Sequence, residues 1–230
     1  MLLEVKNLYK RYGSKTVLND IDFSADKGKI IGLIGENGAG KTTLLKIISG
    51  FARPTSGEVF INGKEVGVET RKYVAFLPDS IIFPKWMKVK EALMFYSDFF
   101  NDFDLQKAEQ LIKFLNINEN SKIHDLSRGA IEKLSVTFLV SRNTNLYLLD
   151  EPFAFIDPVS RDMIIEIILA NVAEDRTIII STNIISEIEH IFDEVIFIKD
   201  GKIVLRDSAE NLRSKFGVSI NQFFKKEVLG

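Results

Sequence analysis

The sequence predicts an α/β fold with a mostly parallel core sheet, an antiparallel β subdomain and an inserted helical subdomain. Three features carry that expectation. Residues 30–34, 146–149 and 177–180 are short apolar runs, the pattern of strands buried on both faces. The first run leads into a glycine-rich loop and then a helical pattern over 41–49, and strand–helix alternation of this kind gives a parallel sheet covered on both sides. From about 83 to 140 the apolar spacing is helical.

Taken in chain order, Leu3 and Val5, then Val17, Ile21 and Phe23, alternate with polar neighbours and read as short strands. Asn62-Gly63 separates 58–61 from 64–66, and Asp200-Gly201 separates 195–199 from 202–205. Both dipeptides accept the positive φ angles of a tight type I′ turn, so each marks a hairpin. Val89, Leu93 and Tyr96 recur at helical spacing, as do Leu111, Phe114 and Leu115. The nearby aromatics Phe95, Phe99, Phe100 and Phe103 are expected to pack in a core. Residues 146–149 are followed by a loop and a helix from about Pro158, and the amphipathic tail from Ser208 to Gly230 reads as helical. One domain is expected over 1–230, with 1–78 and 141–230 forming the core and β subdomain and 79–140 the helical subdomain.

Composition narrows the function classes. A chain of 230 residues, 46% hydrophobic and 27% charged, is long enough to bury a sizeable core. A net charge of -2 supplies no basic field for gathering nucleic acid, so no nucleic-acid partner is expected. The absence of cysteine excludes a disulfide framework and thiolate metal sites, and is compatible with a reducing cytoplasm. No apolar run approaches the roughly 18–20 residues of a spanning helix. The first residues lack the basic and apolar regions of a signal peptide, so a cytoplasmic chain is expected.

Gly35-Glu36-Asn37-Gly38-Ala39-Gly40-Lys41-Thr42 matches G-x-x-x-x-G-K-[ST] in the strand–loop–helix context that gives the motif meaning. Glycines let the backbone close around phosphates with its N–H groups inward, and the helix start adds partial positive charge. Lys41 is expected to neutralise the β- and γ-phosphates, Thr42 to place its hydroxyl on Mg²⁺, and Thr43 to reach the α-phosphate. Downstream, an apolar strand ends in Asp150-Glu151-Pro152. In phosphate-loop ATPases an aspartate here holds Mg²⁺, and a following glutamate polarises the attacking water as general base.

With these residues in place the chain resembles the nucleotide-binding subunit of an ABC transporter over nearly its whole length. The resemblance implies ATP and Mg²⁺ as ligands. It implies that Tyr12 stacks on adenine with Val17 beside it. Leu126-Ser127-Arg128-Gly129-Ala130 stands where the family carries its signature, Phe155-Ile156-Asp157 on its D-loop, and Ser181-Thr182-Asn183 on its switch region. The family works as a head-to-tail dimer in which the signature of one subunit completes the ATP site of the other. Ser127 reads as an N-cap before helical apolar spacing at Ile131, Leu134 and Phe138, which suits an anion site.

Four positions depart from the family pattern. Arg128 replaces the first signature glycine, which resembles a bacterial subgroup of exporters handling antibiotics, peptides or lipids, and Ala130 replaces the glutamine. Asp79 takes the place of the Q-loop glutamine and remains a hard oxygen ligand for Mg²⁺. Asn183 replaces the switch histidine and can donate a hydrogen bond but carries no charge. The expected function is an ATPase subunit that powers a separate transmembrane permease of an exporter. It would lie on the inner face of the membrane through that permease, as a homodimer or as a heterodimer with a second ATPase subunit. The rival is an ATP-gated regulatory subunit that binds but barely hydrolyses ATP, motivated by Asn183 and Asp79.

Overall fold

The computed structural model describes residues 1–80, 83–84, 86–153 and 156–229. In chain order the elements are β1 (Leu3–Tyr12), β2 (Lys15–Ala25), β3 (Ile30–Ile34), α1 (Lys41–Ile48), β4 (Ser56–Ile61), β5 (Lys64–Glu65) and β6 (Val74–Leu77). Three helices follow, α2 (Val89–Phe99), α3 (Leu105–Phe114) and α4 (Arg128–Val140). Then come β7 (Leu146–Asp150), α5 (Pro158–Asn171), β8 (Thr177–Thr182), α6 (Ile185–Ile188), β9 (Glu194–Lys199), β10 (Lys202–Ser208), α7 (Ala209–Phe216) and α8 (Ile220–Phe223). By their contacts they fall into two compact units.

The first unit comprises Met1–Phe76, Asn145–Glu151 and Glu174–Gly230. One sheet has the order β2-β1-β4-β5 and the other β10-β9-β3-β8-β7-β6. β3 runs parallel to β8 and β9, and β7 parallel to β8, as the three apolar runs require. β10 returns antiparallel to β9. Both hairpin turns have the expected backbone, with φ of 51° and 74° at Asn62 and Gly63 and 48° and 74° at Asp200 and Gly201. β1 and β2 are longer than the short strands expected, at 10 and 11 residues. Register shifts after Val5 and Leu8 break their alternation, and positive φ at Asn7 and Asp20 marks the irregularity. Leu33, Leu44, Leu45, Ile48, Leu148, Ile179 and Ile196 form part of the buried core beneath the loop strand and its helix.

Register decides what reaches the carboxyl edge of the larger sheet. Ile34 pairs with Thr182, and Asp150 with Ser181. The glycine-rich loop, the acidic pair and the switch segment therefore leave the sheet side by side. Ligands of open α/β sheets bind at that edge.

The tail packs on this unit. Ser208 caps α7 by accepting from the Asn211 amide, Gly217 ends it at φ 61°, and Ser219 with Gln222 forms a capping box on α8. A π-helical turn, Phe224–Leu229, follows, and the Phe223 and Phe224 rings lie 5.7 and 5.5 Å from that of Phe197.

The second unit comprises Leu77–Thr144 and Pro152–Ala173. α5 follows a core strand in sequence but belongs here, packed against α4. Asp104, Ser127 and Asp157 each accept from the amide three residues on, which fixes the starts of α3, α4 and α5. Phe138 is the centre of the unit's aromatic core, edge-on to Tyr96 at 4.6 Å and to Phe83 at 4.9 Å. Phe103 joins them, and Phe100 lies beneath the Arg142 guanidinium, 3.8 Å from its ring centroid. Phe95 and Phe99 depart from the core expectation. They are 54% and 67% exposed and stack on each other at 5.9 Å.

Candidate functional site

The loop from Gly35 to Thr42 is shaped by two close approaches. A side-chain carbon at Gly35 would stand 2.4 Å from the Ile198 carbonyl. Gly40, at φ 110°, begins α1, and a carbon there would meet Leu18 Cδ2 at 2.7 Å and the Val17 carbonyl at 2.9 Å. Val17 thus touches the loop through its backbone. The Asp200-Gly201 turn, itself against the Val17 carbonyl, also braces the loop, with Gly201 N donating to Ala39 O at 3.2 Å. Glu36, Asn37 and Gly38 are exposed, while Thr42 and Thr43 are half-buried in the first turn of α1. The first turn of α1 itself contains no acidic residue.

Lys41 is 5% exposed, yet its ammonium is fully engaged. It donates to Gly35 O at 2.7 Å and Glu36 O at 3.3 Å, and lies 3.2 Å from Glu151 Oε1. The last contact is an ion pair without hydrogen-bond alignment. Glu151 Oε2 accepts from the main-chain N–H of Asn183 at 3.1 Å, while the Asn183 amide donates to Asn37 Oδ1 at 3.4 Å. Glu151 itself sits at φ 49°, a region costly for a residue with a side chain and typical of functional sites. Its amide donates to both the carbonyl and the hydroxyl of Ser181, each at 3.1 Å. The Ser181 hydroxyl donates in turn to Asp150 Oδ1 at 2.6 Å, and Asp150 is 1% exposed.

Lys41, Asp150, Glu151 and Asn183 thus converge, with Asn37 and Ser181 joining them. Tyr12 is 52% exposed at the end of β1, with the Lys10 ammonium 4.6 Å from its ring centroid. In the second unit Asp79 lies exposed in the bend after β6. Ser127 accepts from the Ala130 amide at 3.2 Å, Arg128 is exposed, and Gly129 has open space around it. Asp157 caps α5, and its bonds from Ser160 hold its carboxyl below the usual range. Phe155 lies outside the described residues.

Three features escaped sequence reading. The role of Ser181 could have been suspected from a hydroxyl directly after the apolar run Ile178–Ile180. The contact of Asn37 with Asn183 has no local signal. Nor does Glu132, which lies 3.8 Å from Arg128 Nε with Oε2 buried and lacking a hydrogen-bond partner among the described residues. Burial pushes its carboxyl up to about 7 against the pull of Arg128.

Among the described residues no three His, Cys, Asp or Glu side chains cluster to hold a metal. The oxygens on hand are the Thr42 hydroxyl and the Asp150 carboxylate. Such a sparse, hard donor set fits Mg²⁺, which keeps waters and uses one or two protein oxygens alongside substrate phosphates.

Comparison with known proteins places the chain in a family. The ABC transporter family model matches residues 18–154. The lantibiotic transport ATP-binding protein SrtF of Streptococcus pyogenes is 33% identical, over 95% of this chain and 97% of its own. A solved ATP-binding subunit of an ABC transporter superposes with a TM-score of 0.88 at 27% identity, over 98% of this chain and 99% of the other. A bacterial ABC transporter cassette solved as a dimer shares the fold at a TM-score of 0.80 and 20% identity, over 90% of this chain and 98% of the other. With its phosphate loop, acidic pair and signature helix in place, the chain belongs to the ABC transporter family, as an ATP-binding ATPase subunit.

Proposed function

We propose that this subunit binds ATP with Mg²⁺ and couples its hydrolysis to a separate transmembrane permease, working in export. The carrying observation is the convergence of Lys41, Glu151, Asn183 and Asn37 above buried Asp150 at the sheet's carboxyl edge. The loop amides from Gly35 to Thr43 bind phosphate, and the Lys41 ammonium exchanges its loop carbonyls and Glu151 for phosphate oxygens. Thr42 and Asp150 would hold Mg²⁺, which would supply positive charge against the phosphate oxygens. Once released by Lys41, Glu151 orients and deprotonates the attacking water, steadied by the Asn183 N–H. Tyr12 and Val17 flank the adenine.

Ser127 and Gly129 serve a second subunit, either a copy of this chain or a paralogue. The dimeric cassette of the same fold supports that arrangement. Arg128 and the likeness to a lantibiotic transport protein support export. The permease would hold the subunit at the inner face of the membrane.

Glu151→Gln tests the base. The variant is expected to bind ATP, to lose phosphate release by about 10²–10⁴-fold, and to elute as an ATP-dependent dimer where the parent does not. Phosphate release by Glu151→Gln at the parental rate removes Glu151 as the base. The Asn183 amide, which replaces an imidazole and is already bonded to Asn37, favours a second reading: a subunit that binds but scarcely hydrolyses. Phosphate release from the parent separates the two, since robust turnover by this chain alone excludes a purely regulatory role.

A further inference from the structure

Ser181 is fully buried in β8, in the run Thr177-Ile-Ile-Ile-Ser181-Thr182. A hydroxyl in such a place costs stability unless both its proton and a lone pair are used. Both are used, and both go to acidic residues of the site. The proton is directed to Asp150 Oδ1 at 2.6 Å, so the bond from the Glu151 amide at 3.1 Å falls on the oxygen's lone pair. The strand register, with Asp150 opposite Ser181, makes this bridge a property of the sheet. The Ser181 carbonyl gives the Glu151 amide a second acceptor, which helps to hold the left-handed backbone there.

We infer that Ser181 is a positioning residue. Through one oxygen it fixes the carboxylate rotamer of Asp150 and the turn that aims Glu151, and so sets the metal-holding and water-activating groups together. The inference rests on the roles given above to Asp150 and Glu151. Partners of this kind, one shell behind a metal ligand, alter metal affinity or activity by about 10–100-fold when removed.

Three substitutions separate hydroxyl from shape. Ser181→Ala removes the bridge. Ser181→Thr and Ser181→Val add similar bulk, but only the first keeps the hydroxyl. The readout is binding of a fluorescent ATP analogue across a Mg²⁺ titration and in EDTA, with thermal melts confirming a folded chain. Ser181→Ala and Ser181→Val are expected to raise the Mg²⁺ concentration needed for tight binding by about 10–100-fold, with binding in EDTA unchanged, and Ser181→Thr to restore the parental response. A parental Mg²⁺ response in Ser181→Ala overturns the inference. So does equal impairment of the threonine and valine variants, or a loss that persists in EDTA. Asp150→Asn is the control for the underlying reading: if it leaves the Mg²⁺ response intact, the metal role of Asp150 falls, and the inference with it.

Discussion

Glu132 shows how far a single side chain can sit from what its letter suggests. In the sequence it is one more polar residue on a helix. In the fold its carboxyl is held near 7 by burial, with Arg128 opposing from one turn away and too distant to compensate. The sign follows from linkage. A raised carboxyl value means the fold favours the protonated form, so its contribution is fully present below the ordinary value of 4.5 and is lost as pH rises through about 7. Glu132→Gln removes the charge and keeps the shape. It is expected to stabilise the chain by about 1 kcal/mol near pH 8, allowing for partial solvent access, or roughly 2–4 °C in Tm. The gain should shrink towards zero near pH 4.5. Melting curves for both chains across that range check it, and a gain independent of pH rules out the titration. Asn183 makes a complementary point. The residue type at the switch position changes the side-chain chemistry, yet the bond that steadies Glu151 comes from its main chain, which any residue but proline supplies.

The elements differ in how much of them local sequence dictates. The strand–loop–helix from β3 to α1 was legible because every determinant lies within about twenty residues: an apolar strand, glycines at fixed offsets and a helix start. The two hairpins were legible for the same reason. The helical unit was not, beyond its periodicity. Val89, Leu93 and the half-buried Tyr96 lie on the inward side of α2, while Phe95, one residue from Tyr96 and about 100° around the helix, and Phe99, one turn further on, point outward. Spacing reveals that a stripe exists; partner elements distant in sequence decide which stripe is covered. The place of α5 beside α4 has the same cause. Where the determinants are local, single changes should act locally and hard. Gly40→Ala places a carbon 2.7 Å from Leu18 Cδ2 and 2.9 Å from the Val17 carbonyl, at a φ of 110°. It is expected to cost about 1–3 kcal/mol of stability and to weaken ATP binding by at least tenfold, about 1.4 kcal/mol. Urea unfolding and nucleotide titration measure the two; a variant of parental stability and affinity shows that the loop is not held by this contact.

For the whole molecule, the partners matter as much as the fold. No helix among the described residues is long and apolar enough to cross a membrane. The phosphate loop belongs to one compact unit and the signature helix to the other. The head-to-tail dimer proposed above would let each chain use both features, and mass action makes that proposal measurable. Nucleotide that binds only the folded chain adds about 2.7 kcal/mol at a hundredfold excess over Kd, roughly 5–10 °C in a chain of this size. That shift is independent of protein concentration if the chain stays monomeric. If ATP closes a dimer, the folded state gains a second stabilising equilibrium, and Tm climbs as the chain is concentrated. Glu151→Gln with ATP and Mg²⁺ is expected to show that climb, and the same variant without nucleotide is not. Lys41→Ala, which lacks the ammonium for phosphate, should show neither the shift nor its concentration dependence. A nucleotide shift in Glu151→Gln that stays flat across protein concentration means that copies of this chain do not close on one another. On the reading proposed above, the complementary signature would then come from a second, different ATPase subunit, and the concentration dependence should appear when that chain is added.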